Sequence, residues 1–345
     1  YPFEEYLVPQ DCYWATQAPA LEMLSSGIIS AGDTYMFAAQ IAQGLHDAKL
    51  KGVVARSFSY SRNGKEGMKN HHAYGEALEL LETCKSFEGD DIKAGAVPHA
   101  EYSSSSSLRR EIAEFAVEHG LPMQIHLCET RDSVEKFIAE HGKTPVEDAL
   151  ECGLFDVPCI VAHAIYVTEH DIEILKSKNV HIASCPKSHA NLASGMFNLK
   201  AFGGYKNISI ATDSVASNNS LNMFEEMRFF SYLQKLSEFD PVASSPKDTL
   251  YAATRAGALA LGLDDSGLIA EGYKADLCVI DLDRPNMWPN HNPLYDLVFS
   301  ANPTNVSMTI CNGEVLYDNG EYPQLDVEKI RFEQKRIVDR ILSAQ

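Results

Sequence analysis

The chain has 345 residues, 45% of them hydrophobic, enough for a large core and suited to one barrel-sized domain with a small accessory. Its net charge of −19 at pH 7 repels phosphate backbones and anionic lipid, which argues against nucleic acid and membrane surfaces as partners. No apolar run approaches the length of a transmembrane helix, and the eight cysteines form no Cys-x-x-Cys pair, so buried free thiols in a reducing, cytoplasmic setting are expected in place of a zinc ribbon.

Residues 11–26 have the apolar spacing of a helix, with Gly27 as its C-cap. Strand 28–35, helix 38–49 and a second strand 53–60 follow, the last carrying Arg56. Residues 61–72 are polar and glycine-bearing and read as a loop, with His71 and His72 on its solvated surface. Helix 74–85 leads to strand 92–97, which ends at Pro98-His99. The five serines at 103–107 directly precede an amphipathic helix, 108–119, and suit capping and loop chemistry.

The fourth strand, 121–130, carries His126 and Glu129; helices 131–141 and 145–152 follow. Strand 157–166 carries His163, and helix 168–178 opens on a capping-box variant at Thr168 and Asp171. Strand 180–185 is followed by a loop, 186–195, in which His189 reads as an ordinary loop histidine. Strand 208–214 delivers Asp213, and helices 220–236 and 247–263 close this half.

Seven strands apolar throughout and alternating with helices imply a parallel sheet buried on both faces. A closed parallel barrel has eight, so either the count is one short or the first strand precedes Tyr1. The tail is different. Strand 275–282, a hairpin at 306–318 turned at Asn312-Gly313, and a charged helix at 325–344 suit a small β-sandwich portion. Its strands need a partner segment, again expected upstream of Tyr1. The expected division is 1–263 for the barrel, 264–324 for the sandwich portion and 325–345 for the last helix.

Three apolar runs end in His126, His163 and Asp213, so all three should converge at the C-terminal mouth of the barrel. Imidazole and carboxylate are ordinary ligands for Zn²⁺ or Fe²⁺, and Glu129 could move protons beside such an ion. His99 reads equally as a substrate contact or a loop cap, and Arg56 as a substrate anchor or, slightly favoured, a structural ion pair. Buried polar pairs without chemistry are the bland alternative for any one of these residues.

At these stretches the chain resembles the amidohydrolase superfamily, in particular its 5-methylthioadenosine/S-adenosylhomocysteine deaminase group. The matching pieces are His126-Leu-Cys-Glu129-Thr, Ala162-His163, Ala193-Ser194-Gly195, Thr212-Asp213-Ser-Val-Ala-Ser-Asn218-Asn219, Met223-Phe-Glu-Glu-Met-Arg228 and Gly272-Tyr-Lys-Ala-Asp276-Leu. The resemblance implies a (β/α)8 TIM-type barrel with a small sandwich, and one divalent metal, usually zinc. It implies His126 and Asp213 as metal ligands, and Glu129 as a proton shuttle that is also in contact with substrate. His163 becomes a non-ligand that polarises the water or oxyanion, which revises its reading as a ligand. His99 and Arg56 become substrate contacts, together with Glu129 and Asp213.

The implied reaction is hydrolytic deamination of a 5′-substituted adenosine; the alternatives are guanine or aminofutalosine deamination, triazine dechlorination, or an inactive metal-free barrel. The family's His-x-His ligand pair does not occur in this sequence, and weak metal retention is the corresponding expectation for the chain beginning at Tyr1. His189 stands where the family commonly has Asn. A homo-oligomer is compatible with the resemblance.

Overall fold

The computed structural model describes residues 3–59, 67–89 and 91–344. Tyr60, at the end of the second expected strand, and residues 61–66 of the expected loop lie outside the described residues. Seven parallel strands form one sheet in sequence order: β1 (Ser30–Tyr35), β2 (Lys51–Phe58), β3 (Ile92–Pro98), β4 (Met123–Leu127), β5 (Cys159–His163), β6 (His181–Ser184) and β7 (Ile208–Ile210). Helices bridge consecutive strands, among them Ala38–Asp47, Ala73–Ser86, Ser106–His119 and Glu169–Ser177. This is the TIM-type (β/α) barrel architecture, with seven strands among the described residues. Val54, Met123, Val161 and Ile182 come from four of its strands and are all buried in one core, as unbroken apolar runs require.

Register decides which residues meet at the mouth. Arg56 pairs with Ala96, His126 with Ala162, Leu127 with His163, and Ser184 with Ile210. Parallel neighbours in this register carry their last residues to one end of the sheet.

Most strands are shorter than the sequence pattern suggests, and the reason is local. β4 stops at Leu127 because Cys128 turns into the left-handed region, with φ 56. β5 stops where His163 and Ala164 do the same, with φ 77 and 48. β7 ends at Ile210, before Asp213 at φ 62. Non-glycine residues rarely adopt this conformation, and such strain gathers at functional sites. Further differences are helical. A short helix, Pro186–Asn191, lies inside the expected loop 186–195. The helix expected at 247–263 is divided at Thr254 into Pro246–Ala253 and Arg255–Ala260. Pro293–Phe299 adds a helix that the pattern did not signal.

The tail forms a separate antiparallel sheet, β8 (Leu277–Ile280), β9 (Val306–Cys311) and β10 (Glu314–Asp318), in the order β10-β9-β8. Asn312 and Gly313 both have positive φ, 51 and 82, as the tight hairpin between β9 and β10 demands. Lys51, the first residue of β2, is fully buried and donates to Asp276 at 2.6 Å. Thr309 donates to the Leu24 carbonyl at 2.7 Å. The small sheet is therefore tied to the N-terminal end of the strands, away from the mouth. The last helix, Val327–Ala344, lies along the first, Pro9–Ser25, through Gln334 to the Trp14 carbonyl at 2.7 Å and an Arg340–Asp11 ion pair. All eight cysteines are free; six are buried, Cys84 is half-buried and Cys278 is exposed. No helix among the described residues is long and apolar enough to cross a membrane.

Candidate active site

Four histidines form a chain across the C-terminal ends of adjacent strands. His99 follows β3, His126 lies in β4, His163 ends β5, and His189 sits in the short helix after β6. Ring centroids are 5.0 Å apart for His99 and His126, 5.4 Å for His126 and His163, and 5.2 Å for His163 and His189. Glu129 and Asp213 join from the loops after β4 and β7. Glu129 Oε2 is 3.8 Å from His163 Nε2. The structure thus gathers His99, His126, Glu129 and His163, and the negative charges of both Glu129 and Asp213 are felt within the cluster.

Each side chain is held by a specific partner. His126 Nδ1 lies 2.8 Å from the His99 carbonyl, so Nδ1 carries the hydrogen and the Nε2 lone pair is left for another ligand. His99 Nδ1 meets Ser103 Oγ at 2.6 Å, which gives one of the five serines a definite task. Asp213 accepts from Ser188 Oγ and from the Ser214 amide, both at 2.6 Å. Glu129 accepts from Ser194 Oγ at 3.2 Å, and the Ser194 carbonyl accepts from Tyr166 at 2.8 Å. Gly195 is needed beside it, because a Cβ there would lie 2.5 Å from the Tyr166 hydroxyl oxygen. His163 Nδ1 and His189 Nε2 share a hydrogen bond of 3.0 Å.

Burial sets the charge states. It pushes the Glu129 carboxyl up, while the Ser194 hydrogen bond acts in the opposite direction. It pushes His163 well below its ordinary value and brings His99 and His189 down to about 4, so these three rings are neutral at pH 7. With the hydrogen on His189 Nε2, His163 Nδ1 accepts and His163 Nε2–H faces the Glu129 carboxylate. The constellation thus offers a metal-ready imidazole nitrogen, a carboxylate able to cycle a proton and a neutral donor.

Arg56 is placed elsewhere in its bonding. Its Nε donates to Glu76 at 2.7 Å, Nη2 reaches the same carboxylate at 3.4 Å, and Nη1 donates to the Ser57 carbonyl. None of these bonds reaches the histidine chain. His71, expected on the surface, is buried instead and bonds through Nε2 to the Ser59 carbonyl at 2.6 Å. His189, expected as a loop residue, is 1% exposed and belongs to the cluster. Ser188 carries no sequence signal of its own, and Ser194 only its place in the Ala193-Ser194-Gly195 match. Ala193, next to Ser194, has φ 53, a signal visible in the backbone alone.

The model of the amidohydrolase family matches residues 2–316. A 5-methylthioadenosine/S-adenosylhomocysteine deaminase from Pelotomaculum thermopropionicum is 35% identical over 346 aligned positions, spanning 100% of this chain and 79% of that protein. A 5′-deoxyadenosine deaminase from Methanopyrus kandleri is 34% identical, spanning 96% of this chain and 76% of that protein. Among solved structures, an adenosine deaminase from Xanthomonas campestris with bound zinc superposes with a TM-score of 0.91 at 27% identity, over 99% of this chain and 78% of that one.

Proposed function

Because the chain belongs to the amidohydrolase family, we propose that it is a metal-dependent hydrolase that deaminates a purine nucleoside. The favoured substrate class is a 5′-substituted adenosine such as 5′-methylthioadenosine or S-adenosylhomocysteine. The observation that carries this reading is the meeting of His126, Glu129 and His163 at one end of the sheet, with the Glu129 carboxylate 3.8 Å from His163 Nε2. The names of the relatives supply the substrate class.

Two donors of the kinds a divalent ion takes are present on this chain. His126 keeps Nε2 free because Nδ1 is bound to the His99 carbonyl, and Asp213 supplies carboxylate oxygen, a combination suited to Zn²⁺ first and Fe²⁺ second. When bound there, the ion supplies Lewis acidity and lowers the pKa of a water.

The rest is the work of this chain's side chains. Glu129 takes a proton from the attacking water and delivers it to the ring nitrogen beside the amine-bearing carbon. Burial raises its carboxyl above the ordinary range, which makes it a stronger base. His163, neutral and fixed by His189, donates from Nε2 to the oxygen that develops charge as the water adds. Asp213, fixed by Ser188 and the Ser214 amide, orients the same water. His99, neutral and anchored to Ser103, contacts the nucleoside. Arg56 supports the mouth through Glu76, and any contact it makes with substrate is made by a guanidinium already charge-paired. As the C–N bond breaks, the proton still on the added oxygen passes to the amine, which leaves as ammonia while a carbonyl forms on the ring.

An ammonia-release assay of the metal-loaded protein across adenosine, 5′-methylthioadenosine, S-adenosylhomocysteine, 5′-deoxyadenosine, guanine and aminofutalosine tests the assignment. The highest kcat/KM should fall on a 5′-substituted adenosine. A preference for guanine, or for aminofutalosine, would transfer the substrate to another branch of the family.

A further inference from the structure

Behind the mouth, on the far side of His163 from Glu129, lies a second group of ligand-type side chains. His163, Cys185 and His189 are all buried, and each offers a ligand atom within 4.8 Å of the others. The His163 Nδ1 and His189 Nε2 nitrogens are 3.0 Å apart. Two nitrogens on one tetrahedral zinc stand about 3.3 Å apart, and a nitrogen and a thiolate about 3.6 Å, from the usual bond lengths. The nitrogen pair is already near that separation, and Cys185 Sγ lies within 4.8 Å of both, so a small movement of the thiol toward the pair completes three ligands. It comes from three places in the chain that the fold joins: the end of β5, the residue after β6, and the helix Pro186–Asn191. It shares no residue with the pair His126 and Asp213.

We propose that His163, Cys185 and His189 form a second, soft-metal site that takes Zn²⁺, or Co²⁺ in its place, through two imidazole nitrogens and one thiolate. Metal–nitrogen bonds form at His163 and His189 and a metal–sulfur bond at Cys185. The Cys185 S–H bond breaks and its proton goes to solvent, while the His189 hydrogen moves from Nε2 to Nδ1. The surroundings favour a cation. Burial is the main reason the Cys185 thiol is pushed up, but Asp213, Glu226 and Glu129 add their negative charge to it, and Glu226 and Glu129, which hold no other ion, would offset part of a bound dication's charge. Thiolate with imidazole selects zinc-like over magnesium-like ions. Ligation at Nδ1 leaves His163 with its hydrogen on Nε2, the form that faces Glu129, so the second ion is read by spectroscopy and not by turnover.

Cobalt titration tests this. The protein is stripped with chelator, kept anaerobic and titrated with CoCl₂ while its absorption spectrum is followed. A thiolate-to-cobalt charge-transfer band in the near ultraviolet is expected, reaching the intensity of one thiolate-bound cobalt per chain, and the site at His126 and Asp213 adds no such band because it contains no sulfur. Cys185→Ser should abolish the band. His189→Asn should weaken cobalt binding at the thiolate site at least about tenfold, and it carries the test on its own if Cys185→Ser does not fold. A wild-type protein without the band overturns the proposal, as does a band that survives Cys185→Ser or keeps its full strength at the same cobalt concentration in His189→Asn. None of these readings depends on deaminase activity, so failure here leaves the proposed reaction standing, and failure of the reaction leaves this site standing.

Discussion

Replacing Glu129 by Gln separates proton transfer from every other service that this residue performs. The amide is nearly isosteric, and its oxygen can still accept from Ser194 at 3.2 Å. It cannot take a proton from water or pass one to a ring nitrogen. Removing a positioned acid–base group costs about 10²- to 10⁴-fold in rate, or about 2.7–5.5 kcal/mol at the barrier. The opposite sign is expected for stability. Burial already disfavours the Glu129 carboxylate, so a neutral amide there should leave the midpoint of urea unfolding unchanged or slightly raised. The assay pairs kcat for ammonia release with metal content after gel filtration. The expected result is a fall of at least about 100-fold in kcat, with the same metal content as wild type treated identically. A variant that turns over within a few-fold of wild type would remove Glu129 from the chemistry. A variant that loses its metal would make Glu129 a ligand.

Ser194→Ala removes the hydroxyl that favours the charged form of Glu129, so the Glu129 carboxyl should rise further and the acidic limb of the kcat/KM profile should move to higher pH; an unmoved limb would assign it to another group. Asp148 is a structural counterpart: burial alone would push its carboxyl up, but Lys143 at 2.8 Å and Arg109 at 2.6 Å bring it down to about 2. A depressed carboxylate contributes stability that is complete above its unfolded value near 4 and is lost as pH falls through about 2, a contribution of roughly 2 kcal/mol. Asp148→Asn should flatten urea-midpoint dependence across that window, and at pH 7 it should cost about 3–5 kcal/mol by leaving buried Arg109 without its carboxylate. An unchanged acid dependence would show that the pair does not govern it.

The parts of the fold that depend on long apolar runs are legible in the sequence. The seven parallel strands are examples, and so is the Asn312-Gly313 hairpin, whose turn chemistry is local. The mouth is legible where an ionisable residue ends such a run, as at His126, His163 and Asp213. Strand ends are harder, because Cys128, His163, Ala164 and Asp213 leave the extended region without a glycine or proline to announce it. His189 and Ser188 are hidden for a different reason. Their helix, Pro186–Asn191, has six residues, too few for an apolar period, and only its packing after β6 shows that His189 faces His163. Arg56 shows the converse limit: a buried Arg in a strand signals a partner, but only the fold reveals that the partner is Glu76, which lies in the next helix.

Hydrolytic deamination makes a direct demand on where the product's oxygen comes from. The metal-loaded protein is given 5′-methylthioadenosine in ¹⁸O-labelled water, and the product is weighed by mass spectrometry while ammonia is counted. The expected result is one ¹⁸O on the purine ring of each product molecule, matched by one ammonia, and loss of both in Glu129→Gln. Ammonia without label in the product, or an unchanged nucleoside under conditions where the metal is bound, would contradict the assignment.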